Sequence, residues 1–122
     1  MGKSLSLWLK LEPLVTTLVI YDKVPSLENQ QYELSLIDSK SQVLSYVDPI
    51  RNHSHKNLEN ALLDSTLVIV TSGYSYSNPK QTTKDLFKLN KKIVHPLIEV
   101  FASACPEALL LIATNPVTAL VS

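Results

Sequence analysis

Residues 16–22 read TTLVIYD, a short apolar and β-branched stretch that ends in an acid, Asp22. A run of this kind, apolar almost throughout, is typical of a parallel strand that is buried in a sheet. Three further strands are predicted, QVLSYVD at 42–48, TLVIVTS at 66–72 and ALLLIATN at 108–115. Because helical and loop segments separate these strands, the sequence predicts an α/β domain with a mostly parallel sheet.

Four helices are predicted beside and between the strands, at residues 4–11, 27–39, 58–65 and 84–104. Ser26 is expected to cap the second helix, since a serine hydroxyl accepts a bond from the first free backbone N–H groups. This helix should point Tyr32, Leu34 and Ile37 inward. Pro96 is expected to kink the fourth helix, because proline lacks the backbone donor that the helix needs.

Composition restricts the class of protein. The chain has 122 residues, of which 45% are hydrophobic, which suits one small domain. Eleven basic residues balance eleven acidic ones, so neither nucleic acid nor an anionic membrane is an expected partner. One cysteine and no apolar run of about 18 residues favour a cytoplasmic protein without a membrane span. No cluster of residues with metal-ligand spacing stands out, so no metal site is predicted.

The first six residues, MGKSLS, allow three readings of Gly2. They fit the pattern for N-myristoylation of Gly2, which would give the chain a weak membrane anchor. GKS is also the end of a Walker A loop, although the glycines and the strand that should precede it are absent. Third, Gly2 is the last glycine of a dinucleotide-binding loop. The third reading is favoured.

The ends of the predicted strands are where a ligand is expected, because parallel sheets bind ligands beyond the carboxyl ends of their strands. The residues at these ends are Asp22, Asp48, Gly73 and Asn115. Asp22 follows Gly2 by 20 residues, the separation between a dinucleotide loop and the acid that bonds the ribose hydroxyls of NAD.

Four stretches together resemble NAD-dependent malate dehydrogenases of the lactate/malate dehydrogenase family: LSLWLKLEPLVTTLVIYD, ENALLDSTLVIVTSG, DLFKLNKKIV and CPEALLLIATNPV. The resemblance implies a Rossmann-type sheet, NAD as the cofactor and malate as the substrate. It covers only the cofactor-binding part of the family pattern, from the third glycine of the dinucleotide loop to just beyond NPV. The expectation is therefore that residues 1–122 form an incomplete NAD-binding domain that lacks the first, central strand and the catalytic domain.

The resemblance also implies roles for five residues. Gly2 matches the third glycine of the loop, and Asp22 matches the ribose-binding acid. Gly73 matches a glycine whose backbone approaches the cofactor, and Asn90 an asparagine that contacts it. Asn115 matches the asparagine that meets both the nicotinamide side of NAD and the substrate hydroxyl.

Two departures from the family pattern concern catalysis. The two loop arginines that clamp the substrate carboxylates are matched by Ser77 and Thr83. The catalytic histidine and aspartate of the family would lie beyond Ser122, so no catalytic residue is predicted and the isolated chain is expected to be inactive. Three hypotheses stay open: a malate dehydrogenase-like polypeptide, a non-catalytic module that forms a homo- or heterodimer with a full-length relative, and a decayed remnant.

Overall fold

Two pairs of parallel strands form the fold in the computed structural model, which describes residues 2–49 and 55–121. The chain divides into two units, Met1–Leu63 and Asp64–Ser122. The described part of the first unit contains α1 (Gly2–Leu11), β1 (Thr17–Asp22), α2 (Leu27–Ser35), β2 (Gln42–Val47) and α3 (Lys56–Leu62). That of the second contains β3 (Leu67–Val70), α4 (Thr83–Ala104), β4 (Leu109–Ile112) and α5 (Val117–Val121).

In the first unit, β1 and β2 pair in parallel, with Thr17 opposite Gln42 and Asp22 opposite Val47. Parallel neighbours need a crossover, and α2 supplies it. The sheet and α2 share one apolar core, whose buried members are Leu18, Ile20, Leu27, Leu34 and Val43. Each buried aliphatic side chain stabilises the unit by about 1.5–3 kcal/mol.

The second helix differs from the prediction in three ways. α2 ends at Ser35 rather than at residue 39, and Ser26 makes no side-chain cap bond because its backbone is already helical. Tyr32, expected inside, is 66% exposed. The inward face of α2 instead carries Gln31, whose Nε2 donates to the Val43 carbonyl at 3.2 Å. Leu27 and Leu34, two turns apart on one face of α2, are buried in the core, so Tyr32, two residues before Leu34, lies on the opposite face.

The first helix buries polar residues and exposes apolar ones. Ser6 and Lys10, one turn apart, are buried, whereas Trp8 is 71% exposed. The Lys10 Nζ donates to the Ser39 hydroxyl at 2.6 Å and to the Ser41 carbonyl at 2.5 Å. Because a buried ammonium is tolerated only where oxygen atoms replace its water, these bonds hold the polar face of α1 against the turn before β2.

In the second unit, β3 and β4 pair in parallel, with Leu67 opposite Leu109. Apolar parallel strands are typically buried on both faces, but here Leu67 is 47%, Leu109 71% and Leu111 52% exposed. Opposite residues in paired parallel strands point to the same side, so the three leucines share one face. A two-stranded sheet in a unit of this size has too few neighbouring elements to cover both faces.

The longest helix, α4, begins at a capping box. The Thr82 hydroxyl accepts from the backbone N–H of Asp85 at 3.2 Å, and the Asp85 carboxylate accepts from the backbone N–H of Thr82 at 3.1 Å. The bond from the Thr82 backbone N–H to the carboxylate, and a second one that the Thr82 hydroxyl donates to it at 2.8 Å, lower the pKa of Asp85. The helix runs on through Pro96, close to the predicted bounds. It buries Leu86, Asn90 and Val94 along one face.

The parallel pairing confirms the predicted α/β class. One element, the short helix α5, was not predicted, because the asparagine-proline pair before it favours a turn. Within residues 2–49 and 55–121, no helix is long and apolar enough to cross a bilayer.

Candidate functional site

Three of the predicted binding residues, Gly73, Asn90 and Asn115, lie together in the second unit. The link between them is the Asn90 side chain, which is fully buried. Its Oδ1 accepts from the backbone N–H of Tyr74 at 2.7 Å, and its Nδ2 donates to the Tyr74 carbonyl at 3.0 Å. The same Nδ2 donates to the Asn115 carbonyl at 2.6 Å. One residue of α4 therefore joins the loop after β3 to the loop after β4.

Gly73 packs against Thr114, in the loop after β4, and against the Asn90 side chain. A Cβ atom at this position would stand 2.5 Å from Cγ2 of Thr114 and 3.0 Å from Oδ1 of Asn90. Its φ of +149° is also one that residues with a side chain rarely adopt. Glycine is therefore required here by both space and backbone conformation.

Thr114 is a member of this site that the sequence analysis did not single out. It is buried, and its hydroxyl donates to the Ser72 carbonyl at 2.6 Å. A threonine near the end of a predicted apolar strand was the available signal, since a buried hydroxyl must find a partner. Asn115 follows it with an exposed side chain and a cis bond to Pro116. The Asn115 side chain is thus open to solvent while its carbonyl is bonded inside.

The loop between Gly73 and α4 is held by its own hydrogen bonds. The backbone N–H of Ser77 donates to Gln81 Oε1 at 3.1 Å, and the hydroxyls of Tyr76 and Thr83 lie 3.1 Å apart. At the positions matched to arginines, the backbone of Ser77 and the hydroxyl of Thr83, the first residue of α4, therefore bond to residues of this loop. Neither side chain can form the two-pronged contact that a guanidinium makes with a carboxylate.

Asp22 lies in the first unit, at the carboxyl end of β1 as predicted. Its side chain is exposed, and its Oδ1 accepts from the backbone N–H of Lys23 at 2.7 Å. Among the residues that the structure describes, this is the one hydrogen bond recorded for the carboxylate. The second carboxylate oxygen is available to accept from a ligand hydroxyl.

Asp48, the other acid at a strand end, is buried and fully used by the fold. Its carboxylate accepts from the backbone N–H groups of Asn57 and Leu58 at 3.2 and 3.0 Å, at the start of α3. It also accepts from the Tyr21 hydroxyl at 3.0 Å. Burial raises the pKa of Tyr21 well above its ordinary value, and the bond to Asp48 and the charge of Asp48 raise it further. Asp48 is therefore a structural acid.

Gly2 is the first residue of α1, in the same unit as Asp22, and its carbonyl accepts from the Ser6 hydroxyl at 2.5 Å. The five predicted residues are thus divided, with Gly2 and Asp22 in one unit and Gly73, Asn90 and Asn115 in the other. The part of the chain that the structure describes holds no group of three or more histidine, cysteine or acidic side chains that could bind a metal ion.

Comparison with known proteins identifies the family. The family model described as lactate/malate dehydrogenase, NAD binding domain, matches residues 1–122. The chain belongs to this family. It is 35% identical to the chloroplastic malate dehydrogenase of Arabidopsis thaliana over 98% of its own length and 28% of that enzyme. It is 34% identical to a mitochondrial malate dehydrogenase of Schistosoma mansoni, over 98% of its own length and 79% of that protein.

A solved structure shows the same fold. The lactate dehydrogenase from Eimeria maxima, determined with NADH and oxamate, superposes with a TM-score of 0.69 at 22% identity. The match covers 94% of this chain and 33% of that one. The predicted Rossmann-type fold is therefore confirmed. The chain spans about a third of the length of several relatives, 28% for the Arabidopsis enzyme and 33% for a mitochondrial malate dehydrogenase of Caenorhabditis elegans.

Proposed function

We propose that this chain binds NAD as the cofactor-binding part of a malate dehydrogenase-like oxidoreductase. The observation that carries the proposal is Asp22, an exposed carboxylate at the carboxyl end of a parallel strand. Membership of a family whose model is described as an NAD-binding domain supports it. When bound, NAD would accept the hydride that leaves the carbon bearing the hydroxyl of malate.

The residues present suit this cofactor. A carboxylate accepts hydrogen bonds from both hydroxyls of a ribose, and the second oxygen of Asp22 accepts from no group within residues 2–49 and 55–121. Gly73, without a side chain, leaves its backbone accessible for close approach at the end of β3. Gly2, at the start of the ten-residue helix α1, is proposed to lie near the pyrophosphate, where helix N–H groups favour an anion. The Asn115 side chain is proposed to meet the nicotinamide side and the substrate hydroxyl.

The proposal predicts that the chain prefers NAD to NADP. The Asp22 carboxylate would accept bonds from a 2′-hydroxyl but repel a 2′-phosphate, and two charges about 4 Å apart near a protein surface interact by about 1–4 kcal/mol. We therefore expect NADH to bind at least about tenfold more tightly than NADPH. Titration of each cofactor, followed by the fluorescence of the reduced nicotinamide, measures both affinities.

The variant Asp22→Asn should remove most of this preference, because the carboxamide carries no charge. Asp38→Asn is the matched control, since Asp38 is an exposed acid of the same unit outside the proposed site. It should leave the preference as in the wild type. Equal binding of the two cofactors by the unmodified chain would contradict the role of Asp22, and a failure to bind either would contradict the proposal itself.

A second candidate function is a non-catalytic module that docks on a full-length dehydrogenase of the same family. The surface of α1 favours it, because Leu7, Trp8 and Leu11 are 45%, 71% and 52% exposed on a helix that buries Ser6 and Lys10. Adjacent exposed apolar side chains of this kind are typical of interaction surfaces. Tryptophan also contributes strongly to many protein interfaces.

Trp8 provides a direct test, because it is the only tryptophan in the chain. Mixing the chain with a tryptophan-free variant of a full-length malate dehydrogenase should shift the Trp8 emission to shorter wavelength as water is excluded. Leu11→Lys should weaken this binding about tenfold or more, whereas Leu36→Lys, a similar change at an exposed leucine of the α2 C-cap, should not. Emission that shifts only with the concentration of the chain itself indicates self-association, and unchanged emission excludes docking through α1.

A further inference from the structure

The Asn90 side chain has no polar hydrogen left for a ligand. Its amide carries two N–H donors, and these are bonded to the carbonyls of Tyr74 and Asn115. Its oxygen accepts from the Tyr74 N–H, and the whole side chain is inaccessible to solvent. All three bonds go to backbone groups. The one remaining lone pair, on Oδ1, is closed off from solvent, so a cofactor could reach it only if the surrounding loops moved.

Asn90 is a polar residue on the buried face of α4, and its amide bonds to the loops after β3 and β4. It lies four residues from Leu86 and four from Val94, on the buried face of the helix, where an aliphatic side chain would be the ordinary choice. A buried amide is costly unless its groups are hydrogen-bonded. Here the bonds reach Tyr74 and Asn115, both of which have exposed side chains. Asn90 thus fixes the backbone beneath two residues that face solvent.

We propose that Asn90 is a positioning residue, which holds the loops after β3 and β4 in the arrangement that a ligand at Asn115 meets, and not a residue that touches the cofactor. This inference rests on the proposed function, since it assigns Asn90 a different role in that site. It has a further consequence. A ligand that orders the Asn115 loop should also slow opening at Tyr74, because the same amide binds both backbones.

Hydrogen exchange on the full chain tests the contacts without any ligand. In the unmodified protein, the Nδ2 hydrogens of Asn90 should exchange at least about 100-fold more slowly than those of Asn78, an exposed asparagine of the neighbouring loop. Exchange at equal rates would overturn the proposal. Addition of NADH should slow exchange of the Tyr74 N–H further, and exchange that becomes faster with saturating NADH would also overturn it.

The variant Asn90→Leu separates positioning from direct contact. Leucine fills a similar volume but accepts and donates nothing, so exchange of the Tyr74 N–H should rise about tenfold and the Kd for NADH should rise by a similar factor. Asn60→Leu, the same change at an exposed asparagine of α3, should alter both quantities less than about twofold. Val94→Ala, on the same face of α4, should lower global stability without changing NADH affinity.

The outcomes are distinct. Weaker NADH binding with unchanged Tyr74 exchange in Asn90→Leu would show that Asn90 touches the cofactor, which overturns the positioning role. If neither Tyr74 exchange nor the Kd for NADH changed in Asn90→Leu, the positioning role would be overturned as well. If the unmodified chain binds no NADH, the proposed function fails, while the exchange rates of Tyr74 and Asn90 still decide whether Asn90 holds the loops. If Asn90→Leu does not fold, the measurements on the unmodified chain decide alone.

Discussion

Gly73→Ala is expected to destabilise the second unit by about 3 kcal/mol or more. Two costs add. The new Cβ would stand 2.5 Å from Cγ2 of Thr114, and overpacking a filled site costs about 1–3 kcal/mol. Alanine would also have to adopt a φ of +149°, and such a backbone strain costs about 1–3 kcal/mol. Thr114 cannot simply turn away, because its hydroxyl is bonded to Ser72.

The second change Thr114→Ser should restore part of the loss. Serine keeps the hydroxyl that donates to the Ser72 carbonyl but lacks the methyl that meets the new Cβ. We expect the double variant to be about 1–2 kcal/mol more stable than the sum of the single changes predicts, since the two residues are in contact. The strain at φ and the contact with Asn90 Oδ1 remain, so the rescue should be incomplete.

Denaturant unfolding followed by circular dichroism measures these effects. Trp8 fluorescence serves as a separate probe, since Trp8 lies in the first unit and Gly73 in the second. Gly2→Ala, at the chain's other glycine, is the matched control and should change stability by less than about 1 kcal/mol, because alanine is favourable in a helix. A Gly73→Ala protein as stable as this control would show that the space at Gly73 is larger than the structure indicates.

Three residues that lie together in the second unit were named from the sequence, whereas Thr114 beside them and the direction of each side chain were not. Gly73, Asn90 and Asn115 follow from the resemblance of three separate stretches to one family. Their chemical roles depend on which atoms face inward. The Asn115 carbonyl is bonded and its side chain is exposed, while the Asn90 side chain is wholly buried. A sequence pattern gives the residue type but not the direction in which its side chain points.

Helix rotation was the feature that the sequence predicted least well. In α2, the prediction put Tyr32 and Leu34 inside together, but residues two apart point to opposite faces, and burial of Leu27 and Leu34 leaves the tyrosine exposed. In α1, Lys10 is buried because its ammonium donates to two oxygen atoms, which belong to residues about 30 positions later in the chain. A prediction from periodicity assumes that the apolar side chains of a helix form its buried face. Hydrogen bonds from polar side chains to groups distant in sequence can bury a different face, and the local sequence does not show them.

The two acids at strand ends illustrate the same difficulty. Asp22 and Asp48 each end a predicted strand, and the sequence alone treats both as candidates for a ligand. In the structure, Asp22 is exposed, whereas Asp48 is buried and its carboxylate accepts hydrogen bonds from three donors. The consequence is opposite expectations for the same substitution: loss of Asp48 should affect folding, and loss of Asp22 should affect binding.

Asp48→Ala should destabilise the first unit by about 3 kcal/mol. The change removes the acceptor for the N–H groups of Asn57 and Leu58, and loss of a helix N-terminal cap costs about 0.5–2 kcal/mol. It also leaves the Tyr21 hydroxyl, which is partly buried, without its acceptor, and an unsatisfied buried donor costs about 1–3 kcal/mol. Trp8 emission during denaturant unfolding reports this unit directly.

Two further variants decide whether the carboxylate is the cause. Asp48→Asn keeps one oxygen acceptor but loses the negative charge at the start of α3, so its loss of stability should lie between those of the wild type and Asp48→Ala. Asp22→Ala removes an exposed acid from the neighbouring strand end and should change stability by less than about 0.5 kcal/mol. If Asp22→Ala were as destabilising as Asp48→Ala, burial would not distinguish the two acids, and the assignment of Asp22 to ligand binding would lose its physical basis.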